Sequence, residues 1–237
     1  MSASLHDIDY VLKKLHWMRQ QHVWPNGLRY LWTDAFGLVL LISLYRDLSE
    51  QKYIDDAEKL VRDVNRVLGR PRGIRIGESP DRDGQYFHYL AMWLFALARL
   101  GEHIPQYRSR AIAVARDVHR AFVDPRRGVI WKMKEDLTGP YPGFGYGALD
   151  AFNGYVVYRI LGEQALASEI TEMRELIRSR TSWRAPPIFP ERSCERCKQA
   201  STACPFKGQM DRCRAFPQAL SLEMGLSPST HRTRRIR

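Results

Sequence analysis

PRGIRIGESPDRDGQYFHYLAMWLFALARLG, residues 71–101, decides how the chain is read. Its first half is a polar loop dense in charge, with Arg72, Arg75, Glu78, Asp81, Arg82 and Asp83. Its second half has no charged residue from Tyr89 to Ala98. A helix that is apolar all round must be buried on every side. The stretch therefore predicts a charged loop feeding directly into a buried helix over residues 84–101. Carboxylates at such a junction are exposed to desolvation, and desolvation shifts pKa values. This loop is the first place to look for a site.

The same unit recurs on both sides. Residues 35–48 and 147–161 also read as largely uncharged helices. Each is followed by an amphipathic helix, over residues 52–68, 105–122 and 163–180. In the first of these Ile54, Ala57, Leu60, Val61 and Val64 form the apolar stripe, with Asp55, Asp56, Lys59 and Asp63 opposite. A leading amphipathic helix spans residues 7–21. The connecting loops repeat too. PNGLRYLWTD starts at Pro25, PRGIRIGESPDRDGQ at Pro71 and PRRGVIWKMKED at Pro125. Each has Pro, polar residues, Gly, then an aliphatic residue. Gly at a fixed place predicts a shared turn with positive φ. The alternation of Ile74 with Ile76, and of Val129 with Trp131 and Met133, predicts short extended segments. A period of about 50 residues is the signature of a repeat array.

The expected fold is all-α. Residues 1–182 form α/α hairpins, with buried helices inside and amphipathic helices outside, in a partial (α/α)6 toroid. Residues 183–237 form an irregular basic tail. This pattern resembles the six-hairpin, (α/α)6-barrel families of carbohydrate enzymes, which include glycosidases and the N-acylglucosamine 2-epimerase group. The resemblance lies in the helix pairing, the polar loops that enter the inner helices and the aromatic content of those loops. Three hairpins are half of such a ring, so inner-helix sides are expected to lie uncovered.

The resemblance implies a carbohydrate-active enzyme, with its site at the funnel mouth in the loops before the inner helices. The positions selected for substrate are Trp32, Asp34, Arg75, Glu78, Tyr86, Trp131 and Tyr146. Lys132, Glu135, Asp136, Tyr141 and Asn153 lie nearby in the third loop. Flat aromatic faces suit the C–H surface of a sugar ring. Glycoside cleavage needs two carboxyl groups, one to protonate the leaving oxygen and one to activate water or attack. Asp83 and Asp150 are the expected pair, and His88 is the expected acid/base of an epimerase. The structural alternative for Asp34, Asp83 and Asp150 is helix capping. Asn at 83 or 150 would then leave folding intact, because Asn caps about as well as Asp. A lone histidine on an apolar helix has its own alternative, a hydrogen-bonded place in the core. GPYPGFGYG, from Gly139, reads as a ligand-covering loop or a long connection. It lacks the lysine and the strand–helix setting of a phosphate loop.

The tail differs in composition. It holds six of the thirteen prolines and all four cysteines, and carries +7 of the net charge of +11. The body therefore shows no basic face of the kind nucleic acid requires, and nucleic acid is not an expected partner. Cys194, Cys197, Cys204 and Cys213 supply four thiolates for tetrahedral zinc. The second CxxC pair of the usual pattern is missing, so no cofactor is the expectation and zinc the alternative. The N-terminal stretch lacks the apolar core of a signal peptide. Uncharged runs such as AFGLVLLISLY are too short to span a bilayer. A cytoplasmic protein without a membrane partner is the expectation. Two further expectations compete with a hydrolase. One is a sugar epimerase. The other is a truncated, inactive toroid that serves as a binding or scaffold module, its tail arising from altered splicing or a frameshift.

Overall fold

The computed structural model describes residues 5–180, and the expectations for the tail and its cysteines lie outside them. Packing divides the chain into a unit that ends at Ile177 and a segment that starts at Arg178. The described residues are mostly helical, as the periodicity predicts. In chain order the helices are α1 (Leu5–Gln20), α2 (Leu31–Leu48), α3 (Lys52–Leu68), α4 (Phe87–Leu100), α5 (Pro105–Phe122), α6 (Asp150–Leu161) and α7 (Ala167–Arg180). Four two-residue strands lie in the loops: β1 (Gln85–Tyr86), β2 (Val123–Asp124), β3 (Gly128–Val129) and β4 (Lys132–Met133).

A buried helix followed by an amphipathic one occurs three times, as α2/α3, α4/α5 and α6/α7. α4 is the centre. It packs between α2 and α6, while α3 packs on α2 and α5 on α4. Phe87, Leu90, Trp93, Leu94, Leu97 and Leu100 of α4 are all buried. This follows from composition, since a helix with no charge from Tyr89 to Ala98 has no face to offer water. α3 buries the stripe Ile54, Ala57, Leu60, Val61, Val64 and presents its charges outward. α6 leaves Phe152 and Val156 exposed, next to the exposed Leu149 that precedes it. Among the described residues no helix is long and apolar enough to cross a membrane.

The second and third loops share a set of backbone hydrogen bonds. Gly73 and Gly128 both take positive φ, 71° and 115°. Gly27, at the matching place in the first loop, is absent from the positive-φ residues, so the shared turn exists in two copies of three. Two residues after the glycine, the Arg75 N–H donates to the Leu68 carbonyl and the Ile130 N–H to the Phe122 carbonyl. Each closes the loop onto the end of its outer helix. Three residues after the glycine, Ile76 and Trp131 do two equivalent things. Their N–H groups donate to the Gly84 and Gly145 carbonyls. Their carbonyls accept the first N–H of the preceding inner helix, from Leu31 at 2.9 Å and from Phe87 at 3.2 Å. The N-terminal N–H groups of a helix have no partner inside it. Here the next repeat supplies one, because neither Tyr30 nor Tyr86 caps with its side chain. Each loop thus stitches its repeat to the one before, and brings the inner-helix N-termini and the loops to one end.

α1 is held to this array by Leu15, which is buried, and by an Arg19–Asp56 ion pair at 2.6 Å. The chain then folds the Trp24 indole onto α2 at Gly37. A Cβ added at Gly37 would lie 1.9 Å from Trp24 Cζ2. Gly37→Ala is therefore expected to destabilise by about 1–3 kcal/mol through overpacking. That outweighs the gain of about 1 kcal/mol in helix propensity. Chemical denaturation that finds the variant as stable as the parent would show that the indole has room to move.

Candidate functional site

The second residue of α2 is Trp32 and the second residue of α4 is His88. The stitching just described sets these two side by side, with ring centres 5.8 Å apart. The first residue of α6 is Asp150, and its Oδ1 lies 4.0 Å from His88 Nδ1. Three inner-helix N-termini therefore meet through one tryptophan, one histidine and one carboxyl group.

Aromatic rings surround this group. Tyr89 lies 4.9 Å from Trp32 and 4.5 Å from His88 between ring centres. Tyr86 lies 5.6 Å from both His88 and Trp131. The Trp131 ring lies nearly parallel to His88, with ring centres 6.3 Å apart and an interplanar angle of 24°. Phe144, from the Gly-rich loop, closes on Trp131 at 5.3 Å. Trp131 remains 41% exposed, so the aromatic basin opens to water. Trp131 also orients the histidine: its Nε1–H donates to His88 Nδ1 at 3.2 Å. A neutral His88 accepting there carries its proton on Nε2.

Burial acts on both titratable groups. It pushes the Asp150 carboxyl up to about 6, against the lowering effect of a hydrogen bond from Asn153. It pushes the His88 imidazole down. Both shifts favour the uncharged forms, as desolvation does. Gly147 leaves space for the carboxyl group, since a Cβ there would sit 1.4 Å from Asp150 Oδ2.

Lys132 locks the loops around the basin. It is 2% exposed. Its ammonium lies 4.8, 4.3 and 5.1 Å from the ring centres of Tyr86, Tyr141 and Phe144. It pairs with Glu78 at 3.2 Å and donates to the Arg82 carbonyl. A desolvated cation facing three rings gains from each of them.

Of the positions selected from sequence, Trp32, Tyr86, His88, Trp131 and Asp150 come together in this basin. Glu78 pairs with Lys132 at 3.2 Å. Tyr146 bridges Ile130 and donates to Asp124 Oδ2 at 3.3 Å. Asp83 and Arg75 pair with each other. Asp83 Oδ1 accepts the Gly84 and Gly77 N–H groups at 2.8 and 3.2 Å. Its Oδ2 accepts from Arg75 Nη1, while Arg75 Nη2 donates to the Val67 carbonyl. This carboxylate staples a loop. It is no helix cap, because α4 begins four residues later, at Phe87. Asp34 accepts the Trp24 Nε1–H at 2.8 Å and lies 3.4 Å from Arg29. Tyr89 and Phe144 were not singled out from sequence. Their signals were an aromatic residue beside His88 at the helix start, and an aromatic residue within a Gly-rich loop.

No family model matches the chain, and no curated protein and no solved structure is significantly similar to it.

Proposed function

We propose that the aromatic basin binds a sugar ring and that Asp150 acts on it as a proton donor, with His88 as its neighbour. On this reading the protein is a carbohydrate-active enzyme and its hairpins are half of an α/α toroid. The observation that carries the reading is Asp150, a buried carboxyl group 4.0 Å from His88 at the aromatic basin, where burial pushes its pKa up to about 6. A general acid works best when its pKa lies near the working pH. Exposed aromatic faces beside it suit the apolar face of a pyranose, and the histidine offers a second proton-transfer group for epimerisation.

One observation favours a second reading, binding without turnover. Glycoside cleavage needs a second carboxylate flanking the bond. Asp83 is engaged by Arg75 and two backbone N–H groups, and Glu78 by Lys132.

A panel of mono- and oligosaccharides titrated into the full chain, with tryptophan emission and thermal shift as readouts, tests the shared part. At least one sugar is expected to bind. Trp131→Ala should weaken it by roughly two- to tenfold, on the order of the 0.5–1.5 kcal/mol that aromatic contacts contribute. A panel with no binder, or a binder indifferent to Trp131, removes both readings. Product formation from a bound sugar separates the enzyme from the binding module.

A further inference from the structure

A second cavity lies on α2, bounded by the end of α1 and residues 21–30. Its volume is about 620 Å³, within the range of small-molecule sites. Met18, Trp24, Leu28, Trp32, Phe36 and Leu40 are among the residues that line it. Leu28 is 87% exposed and Phe36 50%, so both stand at a rim that meets water. It shares Tyr30 and Trp32 with the basin, while His88, Asp150 and Trp131 are not among its lining residues.

One buried charge lines this apolar space. Asp34 is 1% exposed. Its Oδ1 accepts the Trp24 Nε1–H and faces Arg29. Its Oδ2 is buried with no hydrogen-bond partner among the described residues. Buried polar atoms are nearly always hydrogen-bonded, so an unpaired carboxylate oxygen in a cavity wall requires an account. Burial raises the Asp34 pKa, and the Trp24 indole N–H, Arg29 and the Tyr30 backbone offset this only in part. Arg29 is itself committed: its Nη2 donates to the Asn26 carbonyl, and its side chain is 5% exposed. Arg29 and an ionised Asp34 balance in charge. What the site lacks is a donor, not a second cation, and a cationic ligand would bring a positive charge close to Arg29.

We infer that this cavity is a second ligand site. It takes an apolar, ring-containing molecule with one neutral O–H or N–H donor, which hydrogen-bonds to Asp34 Oδ2. The inference stands apart from the sugar reading, because it rests on Asp34 and the cavity on α2, whereas that reading rests on Asp150 and His88, which do not line the cavity.

Naphthol, its methyl ether and naphthylmethylamine, titrated separately into the full chain by calorimetry, test this. Naphthol is expected to bind at least about tenfold tighter than the ether, which keeps the ring and loses the donor. Leu28→Asp and Phe36→Asp alter exposed rim positions. Each should weaken naphthol binding at least about tenfold with the melting temperature unchanged, by placing a charge where the apolar ring must pass. In Asp34→Asn, the side-chain oxygen is retained by Trp24 and Arg29, which leaves an amide donor at the Oδ2 position. The preference for naphthol over the ether should then vanish. Trp131→Ala should leave naphthol binding unaltered, which separates this site from the basin. Equal affinity of the parent chain for naphthol and ether overturns the inference, as does no binding of either. A preference that survives Asp34→Asn, or a cationic amine that binds tighter than naphthol, also overturns it. If Asp34→Asn fails to fold, the ether comparison and the two rim variants still decide.

Discussion

Asp150→Asn is expected to lower turnover of a bound sugar by at least about a hundredfold, the lower range for a positioned acid or base. Sugar affinity should change little, because the aromatic rings remain. The pH dependence identifies the group. Asp150 must be protonated to act as a donor, so the parent rate should fall as pH rises through about 6. Any residual rate of the variant should not show that limb. Stability gives an independent readout. The carboxyl pKa is 3.8 unfolded and about 6 folded, so the folded state binds the proton more tightly. The protonated group's contribution is complete below pH about 4 and is lost as pH rises to about 6. Two pKa units correspond to roughly 3 kcal/mol. Asp150→Asn should flatten that part of the stability–pH curve. Gly147→Ala offers a check that alters no titratable group, since its Cβ must displace the carboxyl group. It should lower the rate with the same sign. A fully active Asp150→Asn, or an unchanged stability–pH curve in that variant, would sink the assignment.

Asp83→Ala is expected to destabilise the protein by about 3 kcal/mol, near the lower end for breaking a buried ion pair. The lower end applies because Arg75 keeps 21% side-chain exposure and can recover some hydration. The carboxylate itself is fully buried. It holds Arg75 and the N–H groups of Gly77 and Gly84 at once, across the loop that supplies the Ile76 carbonyl to α2. Removing it leaves a cation and two donors without partners, which is the costly direction of such a change. For a unit of this size the shift in melting temperature is roughly 6–12 °C. Asp83→Asn should also destabilise, because a neutral amide cannot replace the charge opposite Arg75. The capping argument from sequence predicts the opposite, a harmless substitution. A melting temperature within about 1 °C of the parent for Asp83→Asn would favour the capping view.

The difference between these two aspartates marks how far the sequence could be read. Both were selected because each precedes an uncharged helix, and on that criterion they are alike. Their roles separate only through partners. Asp83 meets Arg75, eight residues earlier, across a folded loop. Asp150 meets His88, from another repeat, and the pocket left by Gly147. Arg75 reads as a substrate contact in sequence, and the fold makes it the counter-charge of the staple. Lys132 reads as one charged residue among several and is instead buried between three rings. No local pattern distinguishes a paired from an unpaired carboxylate, because the pairing residue comes from elsewhere in the chain.

The sequence by itself determined the all-α class, the threefold alternation of buried and amphipathic helices, and the equivalence of the loops. These are local properties. A charge-free run of ten residues must be buried wherever it packs, and a 3.6-residue stripe selects one buried face. The Pro–Gly loops were legible for the same reason, since a turn depends on its own few residues. Tertiary structure alone decided that the residue three after the loop glycine caps the preceding inner helix. It alone set Trp131 beside His88, left Asp150 buried at the aromatic basin and placed Asp34 in the wall of a separate cavity. Those outcomes depend on contacts between segments roughly 10–60 residues apart, and on which side chains exclude water from a given atom. Burial raises a carboxyl pKa only once the other walls of its pocket are in place, so chemistry of this kind is written in the packing and not in any one stretch.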